Sequence, residues 1–380
     1  MVKSPSILED APRLTVLEVA YPLAPVGPDA VGGAEQMVSM VDEGLVRDGH
    51  TSIVIAQEGS ICRGTLIATP KTPEGRALDA AARERAWASH RWAITDACQR
   101  YPIDLVHFHG VDFDRYLPAS GPPALVTLHL PVKSYSESAL RPLRPDVFFH
   151  CVSAAQHRGC PPELYLLEDI PNGVALERRR FSAHKRGFCL SLGRICPEKG
   201  YARALLAASR ARIPFLLAGR VFPYEDHVRY FSEVLSPLLV DPSRARFLGP
   251  VSGGRKRRLL AAARCVLIPS RIEETSSLVA MEALASGTPV IAFRVGALPE
   301  IIEHGLTGFL VDDVEGMTEA ILDVGRIDPR ECRRAAEQRF SADRAMTGYL
   351  GVFDRVIRAA RCASLLDSVF ADSAQPSARA

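Results

Sequence analysis

The chain has 380 residues, 47% apolar and 24% charged, an ordinary globular profile with length for two cores. A formal charge of +2, from 46 basic and 44 acidic residues, gives no field that would favour nucleic acid; only a local basic patch leaves peripheral membrane contact open. The nine cysteines are scattered without a C-x-x-C spacing and read as reduced core residues. No apolar run approaches the roughly 20 residues of a membrane span. The opening MVKSPSILEDAPRL carries Glu9 and Asp10 and lacks an apolar signal core, so a cytoplasmic location is expected.

Short apolar runs alternate with longer helical patterns, the signature of parallel β-α-β units. Leu14 to Tyr21 reads as a strand, followed by a Pro/Gly-rich loop and a helix from Ala34 to Asp48. Thr51 to Ala56 is a second strand and Gly64 to Ala68 a short third. Leu78 to Arg100 is a long helical pattern. Asp104 to Phe108, Ala124 to Leu128 and Val147 to Val152 read as buried strands. Pro171 to Gly187, with its P-N-G triplet and basic cluster, reads as a connection between domains. The pattern then restarts with strands at Phe188 to Leu192, Phe215 to Ala218, Arg246 to Leu248, Cys265 to Ile268 and Val290 to Phe293. Helices are expected at Tyr201 to Arg210, Tyr224 to Leu239, Lys256 to Ala263 and Leu278 to Ser286. Phe340 to Ala363 is an amphipathic terminal helix. The domain expectation is 1–175, 176–335, a helix over 336–365 packing back on the first domain, and a disordered tail over 366–380. Two such α/β halves enclose a cleft, a common place for ligands.

Three segments carry chemistry. Gly193-Arg194-Ile195-Cys196-Pro197-Glu198-Lys199-Gly200 lies between a strand and a helix. Such a turn can hold an anion with backbone N–H groups, a helix dipole, the Arg194 fork and the Lys199 point charge; a solvated basic turn is the plainer reading. Glu274 and Glu282 stand eight positions apart across a helix start that Thr275, Ser276 or Ser277 could cap. Carboxylates accept hydrogen bonds from vicinal hydroxyls, as sugar recognition needs; two surface glutamates are the alternative. Gly32-Gly33-Ala34-Glu35 would let backbone approach a phosphate closely, or is a flexible turn. It is not a G-x-G-x-x-G fingerprint, which counts against a dinucleotide oxidoreductase.

In this order, these segments resemble glycosyltransferase family four, whose members have the GT-B fold: two Rossmann-like, doubly wound domains facing a cleft. The resemblance covers nearly the whole chain. It is strongest in LSLGRICPEKG, FLLAGR, RFLGPV, CVLIPSRIEETSSLVAMEALASGTPVIAF and VGALPEIIEHGLTGFLVDD, with VGGAEQ, DLVHFHG, VTLHLP and IPNGV as counterparts in the first half. It implies that Arg194 and Lys199 hold the donor diphosphate, Glu274 binds hydroxyls of the transferred sugar and Glu282 the ribose. Gly33 would border donor phosphates and acceptor. His129 would sit near the reacting sugar, the Leu248 to Val251 turn by the base, and Leu278 and Val279 by the diphosphate. Many members have Gly and an aromatic after the first glutamate, where this chain has Thr275-Ser276-Ser277.

The expected activity is retaining transfer of a hexose-type sugar from a nucleoside-diphosphate sugar, UDP favoured, to an unidentified acceptor. No metal cofactor is expected. The one D-x-D triplet, Asp112 to Asp114, lies in the first half, away from the phosphate-type turn, and reads as loop acids. His150, Cys151, His157 and Cys160 fit no common zinc spacing. His109 either faces the cleft or is a satisfied structural histidine. The basic run Gly253 to Arg258 reads as a solvated helix start. The rival activity is a nucleotide-sugar epimerase on a similar scaffold. A binding protein with a decayed site and a phosphorylase-type enzyme rank behind it. The acceptor and the oligomeric state are not legible.

Overall fold

A computed structural model describes residues 13–71 and 79–373, the stretch 364–373 in its backbone only. The first half runs β1 (Thr15–Val19), α1 (Gly33–Arg47), β2 (Thr51–Gln57), β3 (Thr65–Thr69), α2 (Ala80–Arg100), β4 (Leu105–Phe108), β5 (Ala124–Leu128), α3 (Glu137–Leu140), β6 (Val147–Cys151) and α4 (Ala154–Arg158). The second runs β7 (Cys189–Leu192), α5 (Tyr201–Arg210), β8 (Phe215–Ala218), α6 (Glu225–Arg229), β9 (Ala245–Phe247), α7 (Gly253–Ala262), β10 (Cys265–Ile268), α8 (Leu278–Ala285), β11 (Val290–Phe293), α9 (Leu298–Ile301), β12 (Gly308–Val311), α10 (Val314–Asp323), α11 (Pro329–Arg339) and α12 (Ala342–Ser373).

Each half is a six-stranded sheet, ordered β3-β2-β1-β4-β5-β6 and β12-β11-β10-β7-β8-β9. Every pairing is parallel, as continuous apolar runs buried on both faces require. Both sheets reverse direction beside their first strand, between β1 and β4 and between β7 and β10. Crevices for ligands open beyond the strand carboxyl ends at such switch points. Side-chain caps set several helix starts: Asp79 accepts from Ala82 N at 2.7 Å, Ser153 from Gln156 N at 3.2 Å and Ser277 from Ala280 N at 3.4 Å.

The single helix expected over Tyr224 to Leu239 is three pieces: α6, a wide π turn (Tyr230–Leu235) and a 3-10 turn (Ser236–Leu238). Pro237 accounts for the end, because it brings no N–H and its ring blocks the preceding turn. The sequence reading passed over α9, β12, α10 and α11, which complete the second sheet and its cover.

The connection between halves is pinned where the chain crosses back. Val174 N donates to Phe340 O at 2.8 Å and Ala342 N to Val174 O at 3.0 Å. From there α12 packs on the first half, burying Met346, Tyr349, Val352 and Phe353 against Val16, Met37, Val41 and Leu45. The expected tail, 366–380, lies outside the residues described at side-chain level, its backbone continuing α12 to Ser373. The opening 1–12 and Leu78, named in the sequence reading, also lie outside the described residues. No helix among the described residues is long and apolar enough to cross a membrane.

Candidate active site

The carboxyl ends of β7 and β10 bring the first two sequence segments together. After β7 the chain turns through a 3-10 turn at Pro197–Lys199, and Gly200 enters α5 in the left-handed region at φ 64°. A Cβ there would stand 2.4 Å from Pro269 O, in the loop after β10, so only glycine lets the two loops touch. Lys199 Nζ then reaches Glu274 Oε1 at 2.5 Å, across 75 positions of sequence. Ser270 Oγ donates to the same oxygen. Glu274 is fixed from behind as well. Ala297 N donates to its carbonyl at 2.8 Å, and Gly296 (φ 54°) lies so close that a Cβ would meet that carbonyl at 2.3 Å.

Arg194 is exposed, and its side chain has no hydrogen bond or ion pair among the described residues; only its carbonyl is engaged, by the Cys196 thiol at 3.7 Å. Its guanidinium is free for an anion, whereas Lys199 is already shared with a carboxylate. Ser277 alone of the three candidate hydroxyls caps α8, and the backbone N–H groups of Leu278 and Val279 stand one turn ahead of the first intrahelical bonds.

The first half meets this edge directly. Thr275 Oγ1 donates to His129 O at 2.7 Å, placing His129 beside Glu274. A Cβ on Gly33 would lie 3.5 Å from Leu278 Cδ1, so the glycine turn faces the start of α8. Gly253 N donates to Asp29 Oδ1 at 3.2 Å, with Arg257 3.8 Å from the same carboxylate. Glu300 caps α4 from the other half, accepting from Ala154 N at 3.1 Å and Ala155 N at 2.5 Å. Val251 is half-buried at the second core, after a turn in which Gly219 N bonds Gly249 O at 3.0 Å. Val279 is likewise half-buried against that core.

Glu282 is not a surface glutamate: its side chain is 1% exposed, enclosed by Lys256 Nζ at 2.7 Å and Arg179 at 3.0 Å. Lys256 is correspondingly not solvated, which corrects the reading of the basic run. One turn of α7 separates it from fully buried Leu260, which puts both on the inward face. Neither Lys256 nor Arg179 was singled out from sequence; the i to i+4 spacing of Lys256 and Leu260 was the available signal. Beyond Arg179 lies a cavity of about 370 Å³ lined by Pro28, Asp29, Arg178, Arg179 and Arg257.

His109 is buried, and both its ring nitrogens are engaged: Nε2 with Glu18 Oε2 at 2.7 Å and Nδ1 with His129 Nε2 at 2.9 Å. His107 lies between Glu18 (3.2 Å) and Thr127 Oγ1 (2.7 Å), and Thr127 in turn meets His150 Nε2 at 2.6 Å. Burial pushes the Glu18 carboxyl up, but His107 and His109 outweigh it and hold it down at about 2. Burial, assisted by His107, lowers His109 to about 4 and His150 to about 3. Burial and the neighbouring imidazoles also press His129 well below its usual range. Glu18 was missed from sequence, though a lone acid inside the apolar run LTVLEVAY is a signal.

The D-x-D acids are engaged locally. Asp112 accepts from Trp87 Nε1 at 2.5 Å and Tyr116 Oη at 3.0 Å; Asp114 accepts from Ser136 Oγ at 3.0 Å and Ser138 Oγ at 2.8 Å. Cys151 and Cys160 stand Sγ to Sγ at 3.7 Å, while His157 pairs with Asp169 at 2.7 Å.

Residues 187–326 match the model of the family described as Glycosyl transferases group 1. This part of the second half is thus similar to a group 1 glycosyltransferase domain. The matched stretch contains Arg194, Lys199, Glu274 and Glu282. A D-inositol 3-phosphate glycosyltransferase of Salinispora arenicola is 32% identical over 209 residues, 50% of this chain and 46% of the relative. One from Corynebacterium glutamicum is 52% identical over 87 residues, 23% of this chain and 20% of the relative. The matched parts thus span half or less of these relatives' length. Among solved structures, AviGT4, a glycosyltransferase of avilamycin A biosynthesis, superposes with a TM-score of 0.69 at 24% identity, covering 91% of this chain and 98% of its own. Anabaena HepE, in complex with UDP and glucose, gives 0.69 at 18%, covering 90% and 100%. The fold is GT-B, in agreement with the two parallel sheets. The epimerase reading gains no support from these relatives.

Proposed function

We propose that the chain is a retaining glycosyltransferase that transfers a hexose-type sugar from a nucleoside-diphosphate sugar, with UDP favoured, to a still unidentified acceptor, without a metal cofactor and in the cytoplasm. The observation that carries this reading is the meeting of Lys199, Glu274 and His129 at one point between the halves. A cation for a leaving diphosphate, a carboxylate for sugar hydroxyls and an imidazole from the opposite half are what such a transfer needs. The complexes of Anabaena HepE with UDP and with UDP-glucose favour uridine.

The leaving group gathers negative charge as the glycosidic bond breaks. Arg194, Lys199 and the N–H groups opening α8 stabilise that charge in place, and each such contact is worth on the order of 3 kcal/mol in the transition state. Protein cations thereby do the work a metal would do. Glu274, already polarised by Lys199 and Ser270, accepts from hydroxyls of the sugar. Retention follows from attack on the face that the diphosphate leaves, within one ion-pair-like transition state. Glu282 reads the ribose once Arg179 has swung off its carboxylate.

Incubating the chain with UDP-glucose and related donors, and following release of nucleoside diphosphate with and without candidate acceptors, tests the proposal. Release that depends on Arg194 and persists in EDTA supports it. Formation of an epimerised donor in the absence of acceptor would favour the isomerase instead.

A further inference from the structure

The first half spends five buried polar side chains on one connected network, and one end of it reaches the cleft. Glu18 and His107 are register partners in β1 and β4, at the switch point of the first sheet. His109 lies two positions on, so it projects to the same side as His107, and both rings close on the fully buried Glu18 carboxylate. The protons in this arm can be counted. An ionised carboxylate only accepts, so His109 donates through Nε2. A neutral His109 then has a bare Nδ1, which can only accept from His129 Nε2, 2.9 Å away. The two rings lie within 17° of one plane, the attitude of an in-line hydrogen bond.

We propose that Glu18 and His109 are positioning residues that lock His129 in the tautomer protonated at Nε2 and present its unprotonated Nδ1 to the cleft beside Glu274. His129 is half-buried. Its Nδ1 has no partner among the described residues, nor is it among the buried atoms left unpaired, so it meets solvent. Its backbone is held separately, through the Thr275 hydroxyl on His129 O. The side chain thus offers the cleft one hydrogen-bond acceptor, suited to a hydroxyl of a bound sugar, and cannot offer a donor. Glu18, His107 and His109 also bring ligand-type atoms close together. Their remaining ring nitrogens are bonded to Thr127 and His129, so the network is complete as a proton-ordered chain.

That Nδ1 serves sugar transfer rests on the function proposed above; the tautomer does not, and the experiment separates them. Long-range 1H–15N spectra of the full chain labelled at histidine nitrogens should show His129 protonated at Nε2 and bare at Nδ1. In His109→Phe, which removes both bonds, His129 should become a tautomer mixture. In His109→Gln, whose amide can still accept from His129 and donate to Glu18, the wild-type pattern should return. Turnover at saturating donor should fall about tenfold in His109→Phe, with donor KM within twofold, and recover in His109→Gln. If wild-type His129 carries its proton on Nδ1, or if its spectrum is unchanged in His109→Phe, the proposal is overturned. Should His109→Phe not fold, the wild-type spectrum still decides. Absence of transfer with every donor would count against the function while the spectra judged the lock.

Discussion

The two halves share one strand order but bury charge in different places. In the first, an acid and two imidazoles sit inside the sheet on β1, β4 and β6, where no ligand can reach them. In the second, β7, β10 and β11 contain no acid or imidazole, and the charges stand on loops past the strand ends or on helices behind them. Charges on the loops can exchange protein partners for a ligand; charges within a sheet can only order one another. The second half is therefore built to bind, and the first to hold a presented side chain still.

The contrast is broken most severely at Glu282. Glu282→Ala leaves Lys256 and Arg179 buried beside each other without a counter-ion, and should cost about 3 to 5 kcal/mol of stability. Chemical denaturation measures it. A loss below about 1 kcal/mol would mean that Lys256 and Arg179 relax into solvent and that the buried triad does not hold this part of the fold together. Arg194→Ala and Lys199→Ala should each cut turnover by about a hundredfold. Arg194→Ala should leave thermal stability unchanged, because its guanidinium is exposed and unpaired among the described residues. Near-normal turnover at saturating donor would remove either residue from the diphosphate site.

Acid should separate the halves. His109 and His150 are held below their unfolded value of 6.5, at about 4 and about 3, so the unfolded chain binds protons more readily. Their contribution is complete above pH 6.5 and is lost as pH falls from there toward 3. Glu18, lowered from 4.5 to about 2, adds a loss between those values, of the same sign. Hydrogen exchange between pH 7 and 4 should show β1, β4 and β6 losing protection before β7, β10 and β11. Equal loss in both sheets would contradict the asymmetry. The smallest effect expected is that of EDTA, which should leave transfer unchanged; loss restored by magnesium or manganese would overturn the metal-free account.

How much of this was legible in the sequence follows the same division. Most strands declared themselves as apolar runs, and Lys199 and Glu274 were readable because each lies in a motif with its own glycines and capping hydroxyls. Lys256 and Arg179 were not, because a basic run looks solvated until its partner Glu282 is known to be buried under it. Glu18 was hidden because its meaning depends on a neighbour 89 positions away. Of the elements after β11, α9 has only four residues, too few for a helical period, whereas β12 is as long as β10 and α10 as long as α5, so their signal was present and was not used.

The central claim is that the second half holds a nucleoside diphosphate on Arg194 and Lys199. Calorimetric titration of UDP into the wild-type chain and into Arg194→Ala and Lys199→Ala tests it without knowledge of sugar or acceptor. The account predicts saturable binding to the wild type and at least tenfold weaker binding to each variant. Absence of binding by UDP, GDP and ADP alike, or binding undiminished in both variants, would contradict it.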